Sequence, residues 1–413
     1  MWPPVRIGFA SLLATTAAMV AALAGCAASA ATGVVGPAAT PGPVSGNVQL
    51  VAGPGQDEPR SAVPWGKIGH GWALALDEAV SSNPAHIATG SIILYLVDPL
   101  GGRYTLFSSP SKANNPVFDG VLTDWSGDGQ RALLVDFPAK NSQAASGPVY
   151  QLNLRTGKIS QVRAASTATV MGYARPRGGQ LLAGVVNYAS ASDNGTLELL
   201  SLSGKVVRKL WHGWFEGSPI SSPDGTMVAM PSDDGLHLIS STGAKRRVLK
   251  PSYACSPLRW WSTTTILATC ATSGMSDSQN MWLLPVSGAK PVMLTPPRPS
   301  SGPDQADYNL FRLTSGSYVE ARGATCGDHV VAKIEPEGKV KVIKVPGATN
   351  ADVVTATGAE LLLQVSSGGC SSPFPATLAW FDPATGKETV AIPVPKSQIG
   401  VLSVIPYFDQ GQQ

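Results

Sequence analysis

Charge is scarce in this chain. Only 14% of its 413 residues are Asp, Glu, Lys or Arg, and the formal net charge is +3. The longest basic run is Lys245-Arg246-Arg247, a cluster on an expected hairpin turn, so the chain lacks the surface of a nucleic-acid binder. Helical periodicity is missing beyond residue 26. The five histidines, at 70, 86, 212, 237 and 329, follow no metal-ligand spacing. Neither Cys-x-x-Cys nor His-Glu-x-x-His occurs. Gly-x-Ser-x-Gly is absent, as is a phosphate-binding Gly-Lys loop. Motifs for an α/β serine hydrolase and for a nucleotide enzyme are therefore missing. No cofactor and no metal is expected from motifs.

Glycine and proline, in contrast, are plentiful, at 44 and 34 residues. They punctuate a repeated pattern of an alternating apolar run, a Gly-centred turn and a second apolar strand. Runs at 94–99, 150–154, 197–202, 236–240, 281–286, 331–335 and 378–382 lead to turns at Gly101, Gly157, Gly204, Gly243, Gly288, Gly338 and Gly386. The turns recur every roughly 40 to 55 residues, the period of four-stranded propeller blades. A second pattern precedes six of these turns: a strand, a polar turn and a very apolar strand. Its clearest copies turn at Ser126-Gly127-Asp128-Gly129 and Ser222-Pro223-Asp224-Gly225. Pro presets φ, Asp caps the turn locally and Gly accepts a positive φ.

The expected fold is all-β: a single β-propeller of seven four-stranded blades, with six or eight as alternatives. Blades are expected at 117–163, 168–211, 214–249, 254–294, 307–345 and 350–394. The first blade has strands at 72–76, 92–97 and 104–107 but lacks an inner strand. Residues 401–408 are expected to supply it, closing the ring and removing an open sheet edge.

The N-terminal segment reads as an address. Arg6 precedes an apolar stretch at 7–24 that ends in Leu23-Ala24-Gly25-Cys26. This resembles the lipobox of bacterial lipoproteins, and the resemblance implies lipidation at Cys26 and anchoring on the outer face of the cell membrane. The alternative is an ordinary signal peptide cut near Ala28-Ser29-Ala30. The expected division is a signal peptide at 1–25, a lipidated Cys26 opening a Pro/Gly/Ala-rich tether at 26–60, the propeller at 61–408 and a tail at 409–413. The tether composition cannot bury enough apolar surface to offset its ordering entropy.

With Cys26 lipidated, four cysteines remain, which fits an oxidising compartment. Of the three possible pairings the repeat favours one. Cys255 and Cys270 are about equidistant from a turn near Thr263, so an antiparallel hairpin would set them opposite each other. Cys326 and Cys370 sit in equivalent loops of successive repeats and are expected to pair. The alternative is free buried thiols.

Ser222-Pro223-Asp224-Gly225-Thr226 and the strand after it resemble the TolB-like propeller repeat, a relative of the WD repeat. The resemblance implies four-stranded blades and a toroid, and transfers no catalytic residue.

Function must then sit in loops. Both expected disulfides and the long insertions at 138–147, 187–195, 271–280, 324–328 and 366–375 belong to one face. Trp211, His212, Trp214 and Phe215 lie between repeats on that face and form the candidate binding surface. Core packing is the plainer role for Trp125, Trp260 and Trp261. The expectation is a membrane-anchored, non-catalytic binding or scaffold propeller whose partner is an envelope protein or glycan, with oligomeric state open. The alternative is a glycosidase or lyase acting on envelope polysaccharide, which needs two carboxylates facing the funnel. Asp119, Asp124, Asp304, Asp307 and Asp352, near the starts of inner strands, are its candidates.

Overall fold

The computed structural model describes residues 52–79, 91–110, 120–136, 147–165, 168–186, 195–213, 217–232, 234–244, 246–250, 254–271, 279–296, 306–323, 328–367, 376–394 and 400–407. Among these the chain is a succession of strands, most of them paired antiparallel, with three short 3-10 turns.

Five sheets of four strands stand alone. In chain order the first four strands are β1 (Asp57–Pro59), β2 (Ala73–Ala79), β3 (Ser91–Val97) and β4 (Arg103–Pro110). The first separate sheet follows as β5 (Gly120–Trp125), β6 (Arg131–Asp136), β7 (Val149–Asn153) and β8 (Ile159–Val162). The next is β9 (Ala168–Tyr173), β10 (Gln180–Val186), β11 (Gly195–Ser201) and β12 (Val206–Gly213). Then come β13 (Ile220–Ser221), β14 (Met227–Ser232), β15 (Gly235–Ser240) and β16 (Arg246–Leu249). The fourth is β17 (Ala254–Ser262), β18 (Thr265–Ala271), β19 (Gln279–Pro285) and β20 (Val292–Met293). The fifth is β21 (Asp307–Leu313), β22 (Gly316–Arg322), β23 (His329–Ile334) and β24 (Val340–Ile343). The last strands are β25 (Asn350–Thr357), β26 (Glu360–Ser366), β27 (Ala376–Asp382), β28 (Lys387–Ile392) and β29 (Gly400–Pro406).

The remaining strands correct the expected blade count. The propeller has five separate four-stranded blades, not seven, six or eight. Strands β1–β4 and β25–β29 join into one nine-stranded sheet, in the order β1-β4-β3-β2-β29-β27-β26-β25, with β28 also paired to β27. The junction is a single parallel pairing of Ala376 with Gly400. Small residues cause it. Gly400 has φ +85°, and a Cβ there would stand 2.6 Å from the Ala376 carbonyl oxygen. Only glycine lets the two backbones meet so closely. Strand β29 pairs antiparallel with β2, from Ala73 with Pro406 to Glu78 with Gly400, so the C-terminus is tied to the first long strand.

A second correction concerns the tether, expected to run to residue 60. Strand β1 pairs in parallel with β4, and Ala52 is buried. The Ala52 N–H donates to the Tyr104 hydroxyl (3.3 Å), and the Asp57 carboxylate accepts from Thr105 Oγ1 (3.0 Å). Residues 52–60 therefore belong to the folded body. Backbone pairing orders a segment whose side chains alone would not.

The seven glycines of the repeated turns all take positive φ, between 72° and 90°. The two clearest polar turns are built alike. Ser126 Oγ donates to Asp128 Oδ1 (2.6 Å) while accepting from the Arg131 N–H (2.9 Å). Ser222 Oγ does the same with Asp224 (2.6 Å) and the Met227 N–H (2.9 Å). The apolar core is a ring of layers between neighbouring sheets, not one centre. Leu133 and Val149 of one sheet meet Tyr173 and Leu181 of the next, and Leu182 and Trp211 meet Val228 and Met230 of the one after. At several junctions the first strands of neighbouring sheets approach each other, β5 with β9, β13 with β17 and β21 with β25.

Candidate functional site

Two groups of acids with a cation stand at opposite ends of the strands. At one end Asp124, near the end of β5, is enclosed. Its Oδ1 accepts from the Trp125 N–H (2.8 Å) and from Arg175 Nη2 (2.8 Å), and its Oδ2 accepts from the Tyr173 N–H (2.6 Å). Arg175 Nη1 also donates to the Trp125 carbonyl (2.6 Å). Burial pushes the Asp124 carboxyl up, against the pull of Arg175 and the N–H donors. This group joins two neighbouring sheets. Gly127 fits it closely, because a Cβ there would collide with the Pro176 carbonyl oxygen.

At the other end lies a different group. Glu320 near the end of β22, His329 at the start of β23 and Asp352 near the start of β25 converge from two sheets. Glu320 Oε1 lies 2.7 Å and Asp352 Oδ1 2.5 Å from His329 Nδ1. Burial alone would hold the imidazole low, but Asp352 and Glu320 overcome it and lift its pKa to about 10. Glu320 is buried, whereas the side chains of His329 and Asp352 are 30% and 38% exposed. The far oxygens are held from outside. The Val353 N–H donates to Glu320 Oε2 (3.3 Å), and Asn350 Nδ2 donates to Asp352 Oδ2 (2.9 Å). Asn350 Oδ1 in turn accepts from the His329 backbone N–H (2.6 Å), and the Tyr308 ring packs on the imidazole at 4.6 Å. The three facing donor atoms lie within 4.8 Å of one another.

The expected site residues divide. Cys255 and Cys270 form a disulfide across β17 and β18, in direct register as the hairpin requires. Trp211 is buried against Leu197, Val228 and the ring of His237, so it packs the core and offers no surface. His212 beside it is exposed and meets Thr196 Oγ1 at 3.2 Å. Cys26, Cys326, Cys370, Trp214, Phe215, Asp119 and Asp304 lie outside the described residues. Trp125 and Trp260 are buried as core, while Trp261 is half-buried between Arg259 and Arg312. Asp307 is buried and accepts from Thr295 Oγ1 (2.5 Å), which serves packing between sheets.

Sequence reasoning named Asp352 and His329 singly and missed Glu320. The one local signal for Glu320 is an acid inside an otherwise apolar strand, next to Tyr318-Val319 and before Ala321. Nothing in the spacing shows that three residues spread over 33 positions meet, because two sheets must pack first.

No protein-family model matches the chain. No curated protein sequence is significantly similar to it. Solved structures of the same fold do match. A structure from a study of two prolyl endopeptidases has a TM-score of 0.52 at 12% identity, covering 80% of this chain and 51% of that one. The acylaminoacyl peptidase of Pyrococcus horikoshii has a TM-score of 0.50 at 12% identity, covering 80% and 54%. The β-propeller domain of the Trilobed protease from Pyrococcus furiosus has a TM-score of 0.51 at 10% identity, covering 80% and 97%. TolB from Acinetobacter baumannii also matches, at 0.43, too low to weigh. The chain spans about half the length of the acylaminoacyl and prolyl peptidase structures that it matches.

These likenesses correct the functional expectation. In place of the non-catalytic scaffold and the polysaccharide-cleaving propeller stands a propeller fold that this chain shares with structures of acylaminoacyl and prolyl peptidases. The geometry agrees for the glycosidase. Glu320 and Asp352 close on one imidazole, whereas a glycosidase pair flanks an open space for sugar and water.

Proposed function

We propose that this chain takes part in peptide hydrolysis, as the peptide-receiving propeller of a peptidase-type protein. The observation that carries the reading is the likeness over 80% of the chain to propellers of prolyl and acylaminoacyl peptidases. The receiving surface is the strand end with Glu320, His329 and Asp352, where the Cys255–Cys270 disulfide fixes a neighbouring hairpin end. A rigid rim lowers the ordering cost of capturing an extended peptide. The sequence holds no Gly-x-Ser-x-Gly, so the reading assigns no nucleophile to a residue of this chain.

The proposal includes an address: export and lipid anchoring through Cys26 on the outer face of the membrane. A disulfide within a described hairpin supports an oxidising compartment.

The test is titration of the purified full chain with a panel of N-acylated and free peptides, followed by fluorescence anisotropy and by mass spectrometry of the products. The reading expects saturable binding of extended peptides, weakened by Tyr308→Ala. Peptides that neither bind nor are cleaved would sink it. Cys26→Ala is expected to move the protein from the membrane fraction to the soluble fraction, and an unchanged distribution would remove the anchor.

A further inference from the structure

We propose that Glu320, His329 and Asp352 form a binding site for a divalent transition-metal ion, with zinc the best match. This goes beyond the peptide reading and does not depend on it.

Donor chemistry is the first argument. One imidazole nitrogen and two carboxylate oxygens are the ligand types that borderline divalent ions take, and zinc stands near the top of the affinity order for such donors. Two carboxylates balance a charge of +2, and the ion takes the place of the proton on His329 Nδ1, which is released to solvent.

Geometry is the second. Both oxygens contact the buried Nδ1, at 2.7 and 2.5 Å. One N–H has a single direction and cannot satisfy two carboxylates. An ion between the three atoms satisfies all of them at once. Ligands on a tetrahedral zinc stand about 3.3 Å apart, given metal–ligand bonds of about 2.0–2.1 Å. Against the 2.7 and 2.5 Å seen here, the two nitrogen–oxygen distances need to open by about 0.6 and 0.8 Å.

The surroundings are the third. Metal ligands are aimed by outer partners, and here each has one. Val353 N–H and Asn350 Nδ2 hold the outward oxygens of Glu320 and Asp352, which turns Oε1 and Oδ1 inward. Asn350 also fixes the His329 backbone, and Tyr308 fixes the ring. The partial exposure of His329 and Asp352 leaves a coordination position facing solvent, the pattern of an open site that accepts water or a ligand.

The test uses the full chain, stripped with chelator and dialysed against zinc, with bound metal measured by mass spectrometry and affinity by competition with a chromophoric chelator. The expected result is one zinc per chain. Glu320→Gln and Asp352→Asn should each weaken binding by more than about 100-fold, and Asn350→Ala by about 10- to 100-fold as an outer partner. Cobalt in place of zinc should give a visible absorption band that shifts in His329→Gln. Circular dichroism checks the fold, and Asp352→Asn, at the exposed rim, decides the matter if Glu320→Gln is misfolded. A folded wild-type chain that retains no zinc would overturn the proposal. So would zinc retained equally by Asp352→Asn and Glu320→Gln, since the metal would then sit elsewhere.

Discussion

Asp124 and Asp352 hold mirror positions, one near the end of an inner strand and one near the start of another. Their surroundings differ in kind. Asp124 meets one guanidinium and two backbone N–H groups, and its charge and its hydrogen-bonding capacity are both balanced. Asp352 shares one imidazole with Glu320, leaving a surplus of negative charge beside solvent. A balanced buried pair ties sheets together. A surplus of acceptors at a partly open place is what a ligand would complete. The same residue type therefore serves packing at one end and a site at the other, and the partners decide which.

The contrast can be broken most forcefully at Arg175. Arg175→Met leaves Asp124 buried without its cation and should cost about 3–5 kcal/mol, read by denaturant unfolding. A loss below about 1 kcal/mol would mean that this end does not hold the sheets together. The opposite end has its own tie. Replacing Cys255 and Cys270 with Ser should cost about 3 kcal/mol for a loop of this length, and hydrogen exchange should rise in β17 and β18 while staying unchanged around Asp124.

A pH titration sharpens the comparison with a smaller effect, because solvent reaches His329. The folded pKa of His329 is raised to about 10, above the unfolded value near 6.5. The stability it contributes is fully present below about pH 6.5 and is lost as pH rises through about 10. With chelator present, denaturation midpoints should fall over that window, and His329→Gln should flatten the slope. An unchanged slope would show that the carboxylates do not hold the imidazole charged. The smallest change is expected for Asp352→Asn. Its side chain is 38% exposed, so metal-free stability should move by less than about 1 kcal/mol.

Much of the fold was legible in the chain because its signals are local. Alternation marks the strands, and glycines with positive φ mark the turns, from Gly101 to Gly386. The Cys255–Cys270 pairing followed from equal distances to one turn. The sheet count was not legible, since a single contact of Ala376 with Gly400 joins strands that sequence periodicity separates. Trp211 looked like a loop aromatic, yet β12 extends to Gly213 and buries it. The order at residues 52–60 was equally hidden, because it rests on backbone pairing to β4 and not on apolar side chains.

By itself, then, the sequence determined an all-β chain of repeated hairpins, its turns and one disulfide, because hydrogen-bonded neighbours in a hairpin are also neighbours in sequence. Only the tertiary structure decided which sheets merge and which acids meet a histidine. Glu320, His329 and Asp352 come together because β21–β24 packs against β25 and its neighbours, and that packing is set by apolar faces distributed along the whole chain rather than by any residue near the site.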